Sequence, residues 1–166
     1  MGTPERTVTE AIEMFGSIGL EGAEIVVQDG YHSGIPYDVD EAELQRIKDT
    51  AEKAGVEIVC LTPYYSRYNS LDDSIRQETI EGLKKVIDYA HFLGAKRIRI
   101  YGGEFLAGEI DENGEKFRRL VAAMRECGDY AAQYDICLVI ENHFNTMCVT
   151  AAQLAAALKE IDHLNV

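Results

Sequence analysis

Glu141, Asn142 and His143 stand in a row directly after the apolar run Leu138-Val139-Ile140. A carboxylate, an amide and an imidazole delivered together at a strand end have the means to bind a metal, move a proton or hold hydroxyl groups. An isolated buried carboxylate is too costly, so Glu141 must be solvated, paired or metal-bound. A metal ligand or an acid–base group is the functional reading, and a salt bridge or a solvated loop carboxylate the plain alternative. His143 can serve as ligand, proton shuttle or hydrogen-bond donor, or stand idle on the surface. For Asn142 the plain alternative to a site role is shaping the turn through its side chain.

Three other segments carry similar cargo. "QDGYHSG" brings Asp29, Tyr31 and His32, "LTPYYSRYN" brings Tyr64, Tyr65, Arg67 and Tyr68, and "YGGE" brings Tyr101 and Glu104. Hydrogen-bonding groups mixed with aromatic faces suit a small polyhydroxylated molecule better than an apolar one. Tyr64, Tyr65 and Tyr68 have loop packing as their ordinary role, and one glutamate among many acidic residues says little about Glu104. His91 and His163 read as structural.

What positions these segments is a repeat. "GAEIVV" at 22–27, "GVEIVC" at 55–60 and "GAKRIRI" at 94–100 each open with Gly after a helical stretch, and "YDICLVIEN" at 134–142 has Asp135 in that place. The glycines fit helix C-caps, where a left-handed backbone favours a residue without Cβ. Apolar residues at three- and four-residue spacing predict helices over 7–19, 40–54, 72–93, 114–133 and 150–161. Strands alternating with helices imply a parallel sheet, and "LNV" at the end reads as a further strand beginning. Leu138, Val139 and Ile140 are expected to be buried on both sheet faces. No G-x-G-x-x-G loop favours a doubly wound sheet. Polar loops after the strands, at 28–39, 62–71, 101–113 and 143–149, are instead the habit of a TIM-type (β/α)8 barrel. Such a barrel takes about 200 residues or more, and this chain has 166.

Composition narrows the partners. With 16 basic and 29 acidic residues the formal net charge is −13, which disfavours nucleic acid and anionic membrane surfaces. No apolar run approaches a membrane span and "MGTPERTVTE" lacks a signal peptide's apolar stretch, so a cytoplasmic location is expected. Cys60, Cys127, Cys137 and Cys148 lack metal or disulfide spacing and are expected to be reduced, mostly buried hydrophobes.

Taken with "GAKRIRIYGGE" and the Gly-led strands, "LVIENH" resembles the xylose-isomerase-like (β/α)8 superfamily of sugar isomerases, ketose epimerases and hydroxypyruvate isomerases. The resemblance implies an α/β fold in which residues 1–166 form one partial barrel domain, from the first helix to the start of a sixth strand. It implies that Glu141 is both a divalent-metal ligand (Mn, Mg, Co or Zn) and a participant in proton transfer between adjacent carbons of a small keto- or aldo-sugar. His143 and Asn142 would face that substrate, and Tyr64, Glu104 and His32 would line the wall. The family's further ligands come from later strands, so the chain is expected to be a fragment, inactive as a monomer. A half-barrel leaves sheet edges and an apolar face exposed, which predicts a homo-oligomer. Two other functions fit less well. One is a sugar-binding module without turnover; the other is the abasic-site endonuclease branch, which the acidic charge opposes.

Overall fold

Three junctions between helix and strand repeat one local solution. At Gly55, Gly94 and Asp135 the backbone turns left-handed, with φ of 68°, 85° and 56°. The next N–H then bonds back into the helix it has left: Val56 to Ala51 O at 3.0 Å, Ala95 to Ala90 O at 2.9 Å, Ile136 to Ala131 O at 3.1 Å. Orphan carbonyls are satisfied and an apolar residue clamps the helix end before the strand starts. Gly55 and Gly94 are thus the helix C-caps expected of them, Asp135 makes the same turn, and the strands begin two or three residues after the start of each repeat. Gly22 departs from the pattern. It already lies in its strand, and Gly19 (φ 83°) makes the turn, with Leu20 N–H bonded to Phe15 O at 2.9 Å.

The computed structural model describes residues 3–166. In chain order these form α1 (Val8–Ser17), β1 (Gly22–Val27), α2 (Glu41–Ala54), β2 (Glu57–Pro63), α3 (Asp73–Leu93), β3 (Arg97–Tyr101), α4 (Glu115–Ala132), β4 (Cys137–Glu141) and α5 (Ala151–Ile161). The strands lie in the order β1-β2-β3-β4, parallel throughout. This is the expected α/β architecture, half of a TIM-type barrel. Helices start where the sequence offers an oxygen. Thr7 and Thr150 form reciprocal capping boxes with Glu10 and Gln153, and Asp40 and Asp72 accept first-turn N–H bonds. At α4 the cap position is Gly114, and Asp111 reaches instead to the N–H groups of Lys116 and Phe117 at 2.8 and 3.0 Å. Each such bond satisfies an N–H that the helix leaves free. No helix among the described residues is long and apolar enough to cross a membrane.

The sheet has one covered face and one open face. Ile98 and Ile100 of β3, and Leu138 and Ile140 of β4, bury against Leu83, Ile87, Leu120 and Met124 of the helices. By alternation, Arg97, Arg99, Tyr101, Cys137, Val139 and Glu141 take the other face. In β2 a bulge at Val59 resets the alternation: pairing steps from Ala23↔Ile58 to Glu24↔Cys60. Leu61 thereby joins the helix side beside Ile25, and Cys60 and Thr62 turn to the open side.

Two expectations change here. Val139 is 41% exposed rather than buried, because among the described residues nothing covers that face at β4, although Cys60 and Thr62 of β2 on the same face are buried. That face is also not the bare apolar surface foreseen, since Glu24, Arg97, Arg99 and Glu141 interrupt it. The sheet edges are partly occupied as well. Ile35 pairs beside β1, donating to Val26 O at 2.8 Å and accepting from Gln28 at 2.9 Å, and Asn165 O accepts from Leu138 N–H at 2.8 Å. Leu164-Asn165-Val166 thus makes one ladder bond to β4 without forming a strand.

The four cysteines are free, three of them buried, as their apolar settings implied. Burial pushes Cys60 up to about 11 and Cys127 to about 12; it likewise lifts Tyr65 to about 12 and Tyr68 well above its usual 10. The folded chain holds protons that the unfolded chain releases from about pH 9 to 10. Stability is therefore complete below about pH 9 and falls as pH rises toward 12. Tyr68 is fully buried and its hydroxyl has no hydrogen-bond partner among the described residues. Tyr68→Phe removes both liabilities. Urea unfolding should show stability unchanged or raised by about 1 kcal/mol at about pH 7, with a clearer gain at about pH 11. A loss at both pH values would mean that the hydroxyl has a partner.

Candidate active site

Tyr101 and Glu141 are neighbours at the last pair of the β3–β4 ladder, both on the open face. Arg99, two residues before Tyr101, shares that face and extends to Glu141, with Nε 3.1 Å from Oε2. Its guanidinium lies 4.6 Å from the centre of the Tyr101 ring and 5.4 Å from that of Tyr64. The Arg99 side chain is only 17% exposed, against 45% for Glu141. The cation is thus held by two aromatic faces and one carboxylate, which reinforce one another where water is scarce. Burial raises the Tyr101 phenol above its ordinary range, and Arg99 beside it opposes that rise.

Aromatic rings continue the wall in both directions. Tyr31 stacks on Tyr64 at 6.2 Å, Tyr64 meets Tyr101 edge-on at 5.8 Å, Tyr101 lies 4.6 Å from His143, and His143 4.0 Å from Phe144. These rings span the C-terminal ends of the strands from the β1 loop to the β4 loop. Apolar faces edged by hydroxyls and an imidazole can stack on the C–H face of a sugar while bonding its hydroxyls.

Backbone bonds fix the loops behind this wall. His143 N–H bonds to Cys148 O at 3.1 Å, and Thr146 Oγ1 donates to His143 O at 2.7 Å. The loop after β4 is stitched to the loop after β3 by Met147 N–H to Gly102 O at 3.0 Å and Phe105 N–H to Asn145 O at 2.9 Å. Buried Asn69 ties in the β2 loop: its amide donates to Glu104 O and accepts from Glu104 N–H, each at 2.9 Å.

Of the six residues singled out from sequence, Glu141, His143 and Tyr64 come together with Arg99 and Tyr101. The other three do not join them. The Asn142 side chain turns back to Val149 O at 3.4 Å and braces its own loop. Glu104 faces Arg67 at 4.0 Å, beside a separate cavity of about 250 Å³ that Asn69 and Lys116 help to line. His32 is exposed on the α1 side of the mouth. There it adds slightly to the effect of the Thr7 hydrogen bonds that hold the Glu10 carboxyl low. Tyr65 packs on Tyr37 at 4.4 Å and Tyr68 is core. Arg99 and Asn69, which join the aromatic wall and tie its loops, were not singled out from the sequence. For Arg99 the alternation Arg97-Ile98-Arg99-Ile100 was a signal of a polar face; for Asn69 there was none. The largest cavity, about 460 Å³, lies between α1 and α2 and touches none of these groups.

The profile of the xylose isomerase-like TIM barrel family matches residues 13–166. The chain belongs to that family. A 3-dehydroshikimate dehydratase of Bacillus anthracis is 26% identical over 160 residues, covering 95% of this chain and 53% of that protein. Among solved structures, a D-psicose 3-epimerase studied with D-fructose superposes with a TM-score of 0.81 at 19% identity, covering 98% of this chain and 57% of its own. A xylose isomerase-like TIM barrel protein from Mycobacterium smegmatis, solved with magnesium, gives 0.74 at 16% identity, covering 95% and 54%. This xylose isomerase-like chain spans about half the length of the relatives it matches. Among the described residues no three His, Cys, Asp or Glu side chains gather as a metal's donor set. The carboxylate that would lead such a set is paired with Arg99. These residues by themselves do not fit a divalent cation, which needs several oxygen or nitrogen ligands.

Proposed function

We propose that this chain, residues 1–166, is one (β/α) domain that builds the mouth of a cytoplasmic enzyme acting on a small keto- or aldo-sugar or a related hydroxylated ketone. Glu141 takes a proton from the carbon beside the carbonyl. The C–H electron pair passes into the carbonyl group to give an enediolate. Glu141 then returns the proton to the adjacent carbon while a hydroxyl proton moves between the two oxygens, or a second acid from outside the described residues protonates the opposite face. The observation that carries this reading is the placement of Glu141 at the end of β4, on the open face, within an arc of aromatic rings at the end of the strands where such barrels do chemistry. The similarity to an epimerase and a dehydratase supports it, since epimerisation beside a ketone and dehydration of a hydroxyketone can share that first step. His143 and Tyr64 would hold hydroxyl groups against the wall. A divalent metal (Mn, Mg, Co or Zn) enters this reading only with ligands from outside the described residues, and no step here is routed through one.

Incubating the protein that carries this chain with D-fructose, D-allulose and 3-dehydroshikimate, with Mg²⁺ or Mn²⁺ added, tests the reading. Turnover of one of them supports it. Saturable binding without turnover supports a sugar-binding module instead. Association of two copies through the free part of the sheet edges belongs to the same reading. Sedimentation of the 166-residue chain should show a dimer, and a monomer at every concentration would remove that part.

A further inference from the structure

We infer that Arg99 is a positioning residue: it fixes the Glu141 carboxylate in one orientation and is itself fixed by the faces of Tyr64 and Tyr101. The inference rests on the reading of Glu141 given above and adds the residue that makes it usable. Glu141 ends its strand nearly half exposed, and among the described residues its side chain has no hydrogen bond; the Arg99 ion pair is its polar contact. Without Arg99 it would sample several rotamers, and a proton acceptor that wanders loses most of its advantage.

The geometry of Arg99 is that of a strut. Its Nε is the nearest cationic atom to Glu141, 3.1 Å from Oε2, in an ion pair without an aligned N–H···O bond. Its Nη1 is buried with no hydrogen-bond partner among the described residues, and the guanidinium carbon lies 5.4 and 4.6 Å from the centres of the Tyr64 and Tyr101 rings. An exposed ion pair of this kind adds little to stability. The arrangement instead spends a buried guanidinium on holding a half-exposed carboxylate, beside the wall where a ligand would lie. It also makes Arg99 the cation that Glu141 meets, so any second cation at that carboxylate has to share it.

Two measurements test this. In the 166-residue chain, the Arg99 side-chain nitrogen and carbon signals in nuclear magnetic resonance should shift in Glu141→Gln, which removes the charge they face. The Tyr101 titration, followed by its ring carbon, should move upward in Arg99→Met, since Arg99 opposes the rise that burial causes. With whichever substrate turns over, Arg99→Met should lower kcat by about ten- to a hundred-fold with KM changed less than about three-fold. Arg99→Lys should recover part of that loss. If Arg99→Met does not fold, Arg99→Gln keeps most of the length and serves in its place. Wild-type kcat in the Arg99 variants, with Glu141→Gln inactive, overturns this inference alone. Full activity in Glu141→Gln overturns the proposed function as well.

Discussion

Glu141→Gln should abolish useful turnover in the protein that carries this chain, lowering kcat about a thousand-fold, within the range a general base contributes. Glutamine keeps the shape of the side chain, and Arg99 keeps its contacts with the Tyr64 and Tyr101 rings, so the wall stays in place. What it loses is the capacity to accept a proton from carbon. KM should change little, because the aromatic arc and His143 rather than Glu141 supply most of the contact surface. The fold should survive too. The Arg99–Glu141 pair is 45% exposed on the acid side, and such pairs contribute about 1 kcal/mol or less. Steady-state kinetics with a melting curve on the same sample checks both halves. Equal loss of activity and of folded protein would remove the chemical interpretation.

Leu138→Ala and Val139→Ala should behave oppositely although the residues are adjacent and similar. Leu138 is fully buried on the helix side of β4. Its truncation leaves a cavity that the sheet and helices cannot close, and should cost about 2–5 kcal/mol in urea unfolding. For a chain this size that is a large part of the whole. Val139 points to the open face and is 41% exposed, so Val139→Ala should cost about 1 kcal/mol or less. Equal, large losses at both would mean that the second face is covered in solution, as it would be if two copies met through it.

That contrast shows where sequence reasoning stops. Thr7, Asp40, Asp72 and Thr150 announce helix starts because a cap needs only a local oxygen, and the Gly55 and Gly94 turns are equally local. The parallel α/β repeat followed from the Gly-led runs and the spacing of apolar residues, which are local in the same way. Whether Val139 is covered depends on what lies across the sheet, which an apolar run does not encode. The bulge at Val59 is set by pairing with β1, not by any residue type. Arg99 was hidden inside a strand whose β-branched residues drew attention, though its alternation with Ile98 and Ile100 was in plain view. Glu104 and His32 were placed by strand end alone. A strand end fixes where the backbone emerges, but Arg67 and Asn69 decide which way Glu104 points, and the turn at residues 28–35 carries His32 toward α1.

Solvent deuterium at the substrate carbon is the most direct test that Glu141 does carbon–hydrogen chemistry at this mouth. When the protein that carries this chain epimerises or isomerises a ketose in deuterium oxide, the product should carry deuterium at the carbon beside the carbonyl. Glu141→Gln should abolish that exchange even over long incubation. Turnover without deuterium at that carbon, or undiminished exchange in Glu141→Gln, would contradict the account.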